Sequence, residues 1–142
     1  MIVTLWVLVS KKVSIFSLIS TSQQMITTMI NSEGESLFCS FTYDLFNYQG
    51  RRALWEEIWK LKENIQGPWV LSGYFNPILN SQEIRSDAHH STVSRKFKEY
   101  IESNELVGVT LHGDRFTWYR KSVNMIVSSK LDRSIVNFSA MD

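Results

Sequence analysis

Clusters of apolar and β-branched residues predict strands along the first part of the chain. Two such runs, residues 4–9 and 13–19, flank a short polar turn, so the pattern predicts a hairpin at the start. Residues 24–30 and 36–43 form a second pair, joined by a polar connection that contains glycine. This part of the chain is therefore predicted to be antiparallel sheet.

Helical spacing replaces this pattern at two places further along the chain. Residues 51–65 predict an amphipathic helix that ends before Gly67 and Pro68, because apolar side chains recur every three or four positions at Leu54, Ile58, Leu61 and Ile65. A second helix begins at Ser91 or Thr92, either of which could cap it, and follows the stripe Val93, Phe97, Tyr100 and Ile101. Both helices are predicted to bury one face.

Shorter apolar segments complete the pattern. Residues 69–71 predict a buried strand that runs into a sharp turn at Gly73. Residues 115–119 and 130–137 predict two short strands, separated by a polar loop around residues 122–124. This order of elements predicts an α/β or α+β sandwich, with sheets in the middle and helices outside.

The composition suits a folded domain but names no partner. A chain of 142 residues with 44% hydrophobic content is predicted to form one domain, residues 1–142. Fifteen basic and fourteen acidic residues give a net charge of +1. The strong positive charge expected of a dedicated nucleic-acid binder is therefore missing.

Neither a membrane partner nor a disulfide partner is expected. Lys11 and Lys12 split the apolar start of the chain into pieces of about ten residues, whereas a spanning helix needs ~20. Cys39 is the only cysteine, so the chain cannot form an internal disulfide or a cysteine-rich zinc site, and a reducing compartment is expected. Cys39 itself is expected to be a small core residue.

Residues 69–81, WVLSGYFNPILNS, place polar side chains directly after a buried strand. Because side chains alternate in an extended segment, Tyr74 and Asn76 should project to one side while Phe75 points to the core. An Asp and an Asn so placed could deprotonate and position a water for attack on a phosphate. Tyr74 is a poor base, since a phenol with a pKa of ~10 stays protonated at neutral pH. Asn76 would otherwise be a turn residue before Pro77.

The acids and histidines predict no metal site. Glu83 is the acid nearest to the strand end, but it lies in a polar stretch and is expected to be solvated. His89 and His90 are adjacent, and no third ligand is spaced with them, so a surface loop is expected. His112 lies in a Leu-His-Gly-Asp turn and is expected to be exposed.

Several segments together resemble a known family. GPWVLSGYFNPILNSQE is similar to the G-D-F-N region of the endonuclease/exonuclease/phosphatase superfamily, in the variety found in plant LINE-type (non-LTR) retrotransposons. Upstream, LWVLVSKKVSIFSLISTSQQMIT and TYDLFNYQGRRALWEEI resemble its strand region and helix start, and downstream FKEYIESNELVGVTLHGDRFTWYR and SSKLDRSIVN resemble its later helix and strands. The resemblance covers nearly the whole chain. It implies a DNase-like fold, an incomplete four-layer α/β/β/α sandwich with mostly antiparallel strands and two outer helices.

The resemblance also implies roles for four residues. Asn76 matches the amide that contacts the phosphate, whereas Tyr74 stands where the family has the Asp that acts on the attacking water, so that function is lost. Tyr43 resembles the tyrosine that hydrogen-bonds the phosphate, and would otherwise be a core or edge tyrosine. Asp132 resembles the carboxylate that orients the catalytic histidine, and would otherwise form a salt bridge or hold a turn.

The sequence departs from the family pattern at both ends. Complete relatives begin with a strand bearing an Asn, continue to a Glu that binds magnesium, and end in Ser-Asp-His, and none of these motifs is found in this chain. No cofactor is therefore expected in this chain, although complete relatives use magnesium. Loss of the positioned base alone costs ~10²- to 10⁴-fold in rate. The resemblance thus implies a truncated, degenerate phosphodiesterase or endonuclease domain without activity, a pseudoenzyme.

Two other interpretations stay open. A non-catalytic module could bind nucleic acid weakly if its basic side chains share a face, namely Arg51, Arg52, Arg115, Arg120, Lys121, Lys130 and Arg133. The reading frame could instead be a genomic relic with exposed sheet edges and apolar faces. As part of a retrotransposon product, which also carries a reverse transcriptase, the chain would be intracellular and nuclear.

Overall fold

Two α-helices separate three groups of strands in the described part of the chain. The computed structural model describes residues 4–13, 15–85, 92–110, 112–123 and 125–141. The strands in these residues are β1 (Ile15–Thr21), β2 (Met25–Ser32), β3 (Glu35–Tyr43), β4 (Trp69–Tyr74), β5 (Ile84–Arg85), β6 (Leu106–Gly108), β7 (Trp118–Ser122), β8 (Met125–Ser129) and β9 (Asp132–Asn137). The α-helices are α1 (Tyr48–Asn64) and α2 (Thr92–Ser103), and single 3₁₀ turns lie at Ser81–Glu83 and Phe138–Ala140.

Most of the described strands belong to one sheet. Its order is β1-β2-β3-β4-β9-β6, and each neighbouring pair is antiparallel except β3 and β4, which run parallel. A parallel pair needs a crossover connection, which α1 supplies between β3 and β4. A second, antiparallel sheet has the order β5-β8-β7. The predicted mixed α/β class with mostly antiparallel strands and two helices is confirmed.

Both helices lie where their apolar stripes predict them. The Asn47 side chain caps α1 by accepting a hydrogen bond from the N–H of Gly50 at 2.7 Å. Leu54 and Ile58 of α1 are buried, as is Phe97 of α2. Neither helix in the described residues is long and apolar enough to cross a membrane.

Both helices pack on one face of the six-stranded sheet. Trp69 and Leu71 of β4 and Ile135 of β9 point to that face and are fully buried, together with Phe75 just beyond β4. Burial of each such side chain stabilises the fold by about 1.5–3 kcal/mol. Because side chains alternate along a strand, Tyr74 lies on the other face, away from the helices. The predicted core position of Phe75 is confirmed.

Cys39 does not lie in the helix-covered core. Cys39 pairs with Val70, the residue next to Trp69 in β4. Because side chains alternate along a strand and Trp69 points to the helices, the thiol of Cys39 lies on the opposite sheet face, which the helices do not cover. The side chain is half-buried, and this burial raises the pKa of the thiol. The expectation of a core cysteine is therefore wrong for this position.

The predicted hairpin at the start of the chain is wrong. Residues 4–9 form no strand, and β1 pairs with β2 instead. Within residues 4–9, Trp6 is 82% exposed and Leu8 is 91% exposed. The β-branched composition of residues 4–9 predicts a strand, but this segment has no partner strand among the described residues. Such a segment becomes part of a sheet only when it pairs with another strand.

The later strands also differ from the prediction. The strand expected at residues 115–119 begins only at Trp118, and Met125–Ser129 forms an additional strand, β8, which pairs with β7 as a hairpin. The strand expected at residues 130–137 is β9, which begins at Asp132. Of the polar loop expected around residues 122–124, Ser122 belongs to β7 and pairs with Met125 of β8, and Asn124 lies outside the described residues.

Gly73 lies inside β4 and not in the turn that the sequence predicts. It pairs with Thr42 of β3 on one side and with Arg133 of β9 on the other. Its φ of +147° is strained for a residue with a side chain. A glycine within a strand marks a close approach of backbone, and here the approach is between β3 and β4.

Candidate functional site

Three predicted site residues meet at the ends of three neighbouring strands of the six-stranded sheet, β3, β4 and β9. Because β3 and β4 run parallel, their last residues Tyr43 and Tyr74 are register partners, and their rings stack with centroids 5.1 Å apart and planes 16° apart. Asp132, the first residue of β9, pairs with Tyr74 on its other side. Register partners on neighbouring strands point to the same face, so these three side chains share the face away from the helices.

Asn76 is held by hydrogen bonds to Asp44, which follows β3. The Asn76 side chain donates from Nδ2 to the Asp44 carbonyl oxygen at 2.6 Å, and its backbone N–H donates to Asp44 Oδ2 at 3.3 Å. The Asp44 N–H in turn donates to the carbonyl oxygen of Tyr74 at 2.9 Å. These bonds therefore join the ends of β3 and β4. Asn76 is part of this connection and is not only a turn residue before Pro77.

Two cavities divide the predicted site residues between them. Tyr74 and Asn76 line a cavity of about 470 Å³, the strand-end cavity, together with Arg51 and Trp118. Asp132 lines a different cavity of about 500 Å³. The structure therefore brings Tyr74 and Asn76 together as the sequence predicts, while Asp132, on the same sheet face as Tyr74, lines the other cavity.

Asp44 is a carboxylate beside Asn76 that sequence reasoning missed. It is fully buried, and its Oδ1 has no hydrogen-bond partner among the described residues. Burial raises the pKa of Asp44 to about 6, although the positive charge of Arg51 and the Asn76 N–H act in the opposite direction. A polar residue directly after Tyr43 was the available signal, because parallel strands end at the same edge of a sheet.

Tyr74 is a weaker acid here than an ordinary tyrosine. Burial raises the pKa of Tyr74, and the neighbouring Tyr43, Asp132 and Asp44 raise it further. The phenol therefore stays protonated across the physiological range. A protonated phenol can donate a hydrogen bond, but it cannot take a proton from an attacking water.

We expect Asp44→Asn to change how stability depends on pH. The folded pKa of about 6 lies above the ordinary value of 3.8, so the stability contribution of this carboxyl is fully present below pH 3.8 and is lost as the pH rises through 6. Relative to the unmodified protein, the variant should gain about 2 kcal/mol between pH 4 and pH 7. Urea unfolding at several pH values measures this difference.

The control for the Asp44 prediction is Asp114→Asn, which removes an exposed carboxyl outside the strand ends. All other acids are common to each variant and the unmodified protein, so a difference curve isolates the group that was replaced. If the Asp44→Asn difference does not change with pH, the buried carboxyl does not titrate in this range.

Glu83 is buried, so the expectation that it is solvated is wrong. Arg133 donates from Nη1 to both Glu83 oxygens at 3.0 Å, and the Leu79 N–H donates to Glu83 Oε2 at 2.6 Å. Arg133 is only 3% exposed, so it is also unavailable as the surface contact to nucleic acid that the sequence suggested. The two residues are 50 positions apart, and no local pattern indicates that they pair.

The remaining basic candidates do not form one cluster. Arg51 and Arg52 line a groove on the helices, whereas Arg115 and Lys130 line the cavity that contains Asp132. Arg120 and Lys121 are exposed on β7. The shared face that the sequence required is therefore not found for the whole set.

The histidines add no metal ligands to the described site. His112 is exposed as expected, and the His89–His90 prediction lies outside the described residues. Within the described residues, no group of three His, Cys, Asp or Glu side chains is close enough to hold a metal ion. Around Asn76 the described donor set is a phenol, an amide and a fully buried carboxylate, whereas magnesium binds through one or two carboxylates while it keeps several of its waters.

Comparison with solved structures places this fold among nucleases and phosphatases. The endonuclease domain of TRAS1, a telomere-specific non-LTR retrotransposon, matches with a TM-score of 0.70 and 10% identity over 89% of this chain and 57% of that one. The 3′ phosphatase NExo from Neisseria, solved with a product DNA hairpin, matches with a TM-score of 0.62 and 14% identity over 88% of this chain and 58% of that one. A beta toxin from Staphylococcus aureus matches with a TM-score of 0.54 and 14% identity over 84% of this chain and 44% of that one. No protein-family model and no curated protein matches the sequence.

These likenesses define the fold. The chain has the DNase-like mixed α/β fold, and the solved structures that it resembles include an endonuclease domain of a non-LTR retrotransposon and a 3′ phosphatase. The chain spans less than three fifths of the length of these neighbours. At 10% to 14% identity, the likeness establishes the fold and not the activity.

Proposed function

We propose that this chain is a degenerate part of a metal-dependent phosphodiesterase or endonuclease domain and does not hydrolyse phosphodiesters itself. The proposed source is a plant LINE-type retrotransposon, whose product also carries a reverse transcriptase. The fold likeness to a retrotransposon endonuclease supports the nuclease origin. The observation that carries the proposed inactivity is Tyr74, whose protonated phenol stands beside Asn76 where hydrolysis needs an ionised acid.

Neither nearby carboxylate replaces the missing base. Asp44 lies next to Asn76 but is fully buried, so a water in the strand-end cavity does not contact its oxygens. Asp132 is exposed, but it lines the other cavity. A general base must reach the water within hydrogen-bond distance, and its loss costs ~10²- to 10⁴-fold in rate. Magnesium chemistry is not assigned to this donor set, because its carboxylates do not converge in the strand-end cavity.

We expect the purified chain to leave supercoiled plasmid intact in the presence of magnesium. The physical reason is that no acid or histidine is among the described residues that line the strand-end cavity, so none of them can accept the proton of an attacking water. The measurement is the fraction of relaxed and linear plasmid after prolonged incubation, compared with buffer alone.

The matched variant for the nicking assay is Asn76→Ala. Magnesium-dependent nicking that disappears in Asn76→Ala would show an active strand-end site and overturn the proposal. Nicking that is the same in both proteins comes from a contaminating nuclease and agrees with it.

A second proposed function is weak binding of nucleic acid without catalysis. The observation that favours it is a groove on the helices that is lined by three cationic side chains, Arg51, Arg52 and Lys96. Cationic side chains bind nucleic acid chiefly through its phosphates, whatever the base sequence. The whole-chain charge of +1 predicts that any such binding is local and weak.

A further inference from the structure

A cationic groove lies between the first turns of α1 and α2. It has a volume of about 350 Å³ and is lined by Tyr48, Arg51, Arg52, Trp55, Thr92, Val93 and Lys96. No acidic side chain is among these lining residues. Arg52 and Lys96 are exposed, and neither takes part in a salt bridge within the described residues. The described walls of the groove therefore carry an excess of positive charge, although Arg51 also interacts with the buried Asp44 carboxyl and Arg52 with Glu56.

Two hydrogen-bond donors at this groove have no acceptor in the part of the chain that the structure describes. Arg51 Nε and Trp55 Nε1 are both buried without a partner among the described residues. Arg51 is held in place because its Nη2 donates to the carbonyl oxygen of Phe46 at 2.7 Å. Buried polar groups in proteins are nearly always satisfied, so these donors, unpartnered among the described residues, are available to an acceptor that a ligand supplies.

Helix α2 adds a further positive contribution at the groove. Its first residues, Thr92 and Val93, form part of the wall. The first N–H groups of an α-helix have no partner within the helix, and the helix dipole is positive at this end. An anion placed in the groove would be stabilised by this end of the helix dipole together with the side-chain cations.

The aromatic residues of the groove differ in availability. Trp55 is stacked on Phe97 and Tyr100, with ring centroids 5.7 and 5.1 Å away, so its ring is already packed. Tyr48 is 67% exposed and is free to stack on a ligand. An exposed aromatic ring beside cations is the arrangement that proteins use to hold a base and its phosphate together.

The groove adjoins the strand-end cavity. Arg51 and Val93 line both spaces, so the guanidinium of Arg51 stands between the groove and the cavity that contains Tyr74 and Asn76. An extended chain of linked phosphates could therefore pass from one space to the other along Arg51. A single nucleotide would occupy the groove alone.

We infer that this groove binds a nucleotide unit, with the phosphate held by Arg51, Arg52 and Lys96 and the base stacked on Tyr48. The inference rests on the proposed nucleic-acid binding and gives it a site. The unit comes either from a free nucleotide or from a single strand of nucleic acid, because both present the same phosphate and base. Continuity with the strand-end cavity favours the single strand.

The test is binding of a fluorescent oligodeoxythymidylate of about twelve nucleotides, measured by anisotropy without metal. The double variant Arg52→Gln/Lys96→Gln should weaken binding about tenfold or more, because the phosphate in the groove loses two of its three cations. The plot of log affinity against log salt should become less steep by up to about 0.7, the contribution of one neutralised phosphate of a single strand. Thermal melting of each variant verifies that it is folded.

The matched control is Lys60→Gln/Lys98→Gln. It removes the same charge from the same two helices, but Lys60 and Lys98 pair with Glu56 and Glu102 and do not line the groove. The control should bind within about twofold of the unmodified protein, because most of its effect is a small change in overall charge. Equal weakening in both double variants, or no binding by the unmodified protein, would overturn the inference.

Tyr48→Ala tests the stacking part of the inference. It should weaken binding of the oligonucleotide about tenfold, because one base loses its aromatic partner. The control is Tyr119→Ala, which removes a tyrosine of similar exposure, 61%, from β7. If Tyr119→Ala weakens binding as much as Tyr48→Ala does, the base does not stack in the groove.

Competition identifies the source of the nucleotide unit. Displacement of the labelled strand by dAMP, but not by inorganic phosphate at the same concentration, assigns the groove to a free nucleotide. Displacement only by unlabelled oligonucleotide assigns it to a single strand. Because no metal is present and no cleavage is measured, the result is independent of the nicking assay, and each proposal can fail without the other.

Discussion

Gly73→Ala should lower the free energy of unfolding by about 4 kcal/mol or more, a value at the extreme end for a single substitution. A Cβ at this position would lie 2.1 Å from the carbonyl oxygen of Thr42 and 2.8 Å from its Oγ1. The φ of +147° adds strain that any side chain would suffer. Because both contacts are made by the neighbouring strand, relief requires β3 to separate from β4. Urea unfolding followed by tryptophan fluorescence measures the loss.

Two other glycines separate the causes of this loss. Gly34→Ala has nothing within 4 Å of the added carbon but keeps a positive φ of +90°, so it should show the backbone strain alone, about 1–2 kcal/mol. Gly108→Ala has no positive φ, and its Cβ would meet only Leu79 Cδ1 at 3.4 Å, so its effect should be small. If Gly73→Ala costs no more than Gly34→Ala, β3 and β4 are not in the close contact described.

The same close approach of β3 and β4 sets the geometry of the candidate site. Tyr43 and Tyr74 are the register partners that follow Thr42 and Gly73, and their stacked rings depend on the spacing between these strands. A larger residue at Gly73 would therefore disturb the site as well as the sheet. The glycine of the family-like segment has a packing role here that does not depend on catalysis.

The elements with strong periodicity could be predicted from the sequence, because local spacing determines them. α1 and α2 follow apolar stripes, and β4 follows a continuous buried run, so each lies within a few residues of its expected position. Residues 4–9 have equally good strand composition but do not become sheet. Strand formation needs a partner, and composition carries no information about which segments pair.

The candidate site could be predicted only as far as its residues lie in one segment. Tyr74 and Asn76 are two positions apart in a strand end, so their shared side follows from alternation. Asp44 joins them because β3 and β4 are parallel neighbours, a pairing that the pattern of apolar residues does not contain. Long-range contacts of this kind, including the pairing of Glu83 with Arg133, come from topology and not from local spacing.

Asp44 adds a carboxylate at the ends of β3 and β4, but it does not replace the missing general base. A carboxylate beside the Asn76 amide is the feature that would have argued for an active site, and the fold supplies one. Its complete burial and its bonds to Asn76 make it a support for the strand ends instead. A pKa of about 6 for Asp44 measures the energetic cost of that burial, since an exposed carboxyl would titrate near 3.8. The proposed inactivity therefore depends on burial as much as on the identity of Tyr74.

Arg133→Met should lower the free energy of unfolding by about 3–5 kcal/mol, because it leaves the Glu83 carboxylate buried without its cation. Arg133 donates to both Glu83 oxygens at 3.0 Å, and its Nη2 donates to the carbonyl oxygens of Pro77 at 3.0 Å and Lys130 at 2.8 Å. The pair thus joins β9 to the segment that follows β4. Methionine fills much of the volume of the arginine side chain, so no large cavity forms. The loss in free energy of unfolding therefore comes from the missing charge and hydrogen bonds. Urea unfolding measures it.

A double variant distinguishes an unpaired charge from lost packing. Glu83→Gln/Arg133→Met removes both charges while the glutamine oxygen can still accept the Leu79 N–H, so this double variant should be more stable than Arg133→Met alone. Lys60→Gln breaks the exposed Lys60–Glu56 pair at 2.9 Å and should leave the unfolding midpoint unchanged within error. If the double variant is less stable than Arg133→Met, the arginine acts mainly through its bonds to the Pro77 and Lys130 carbonyls. In that case the ion pair with Glu83 is not what holds β9 against the segment after β4.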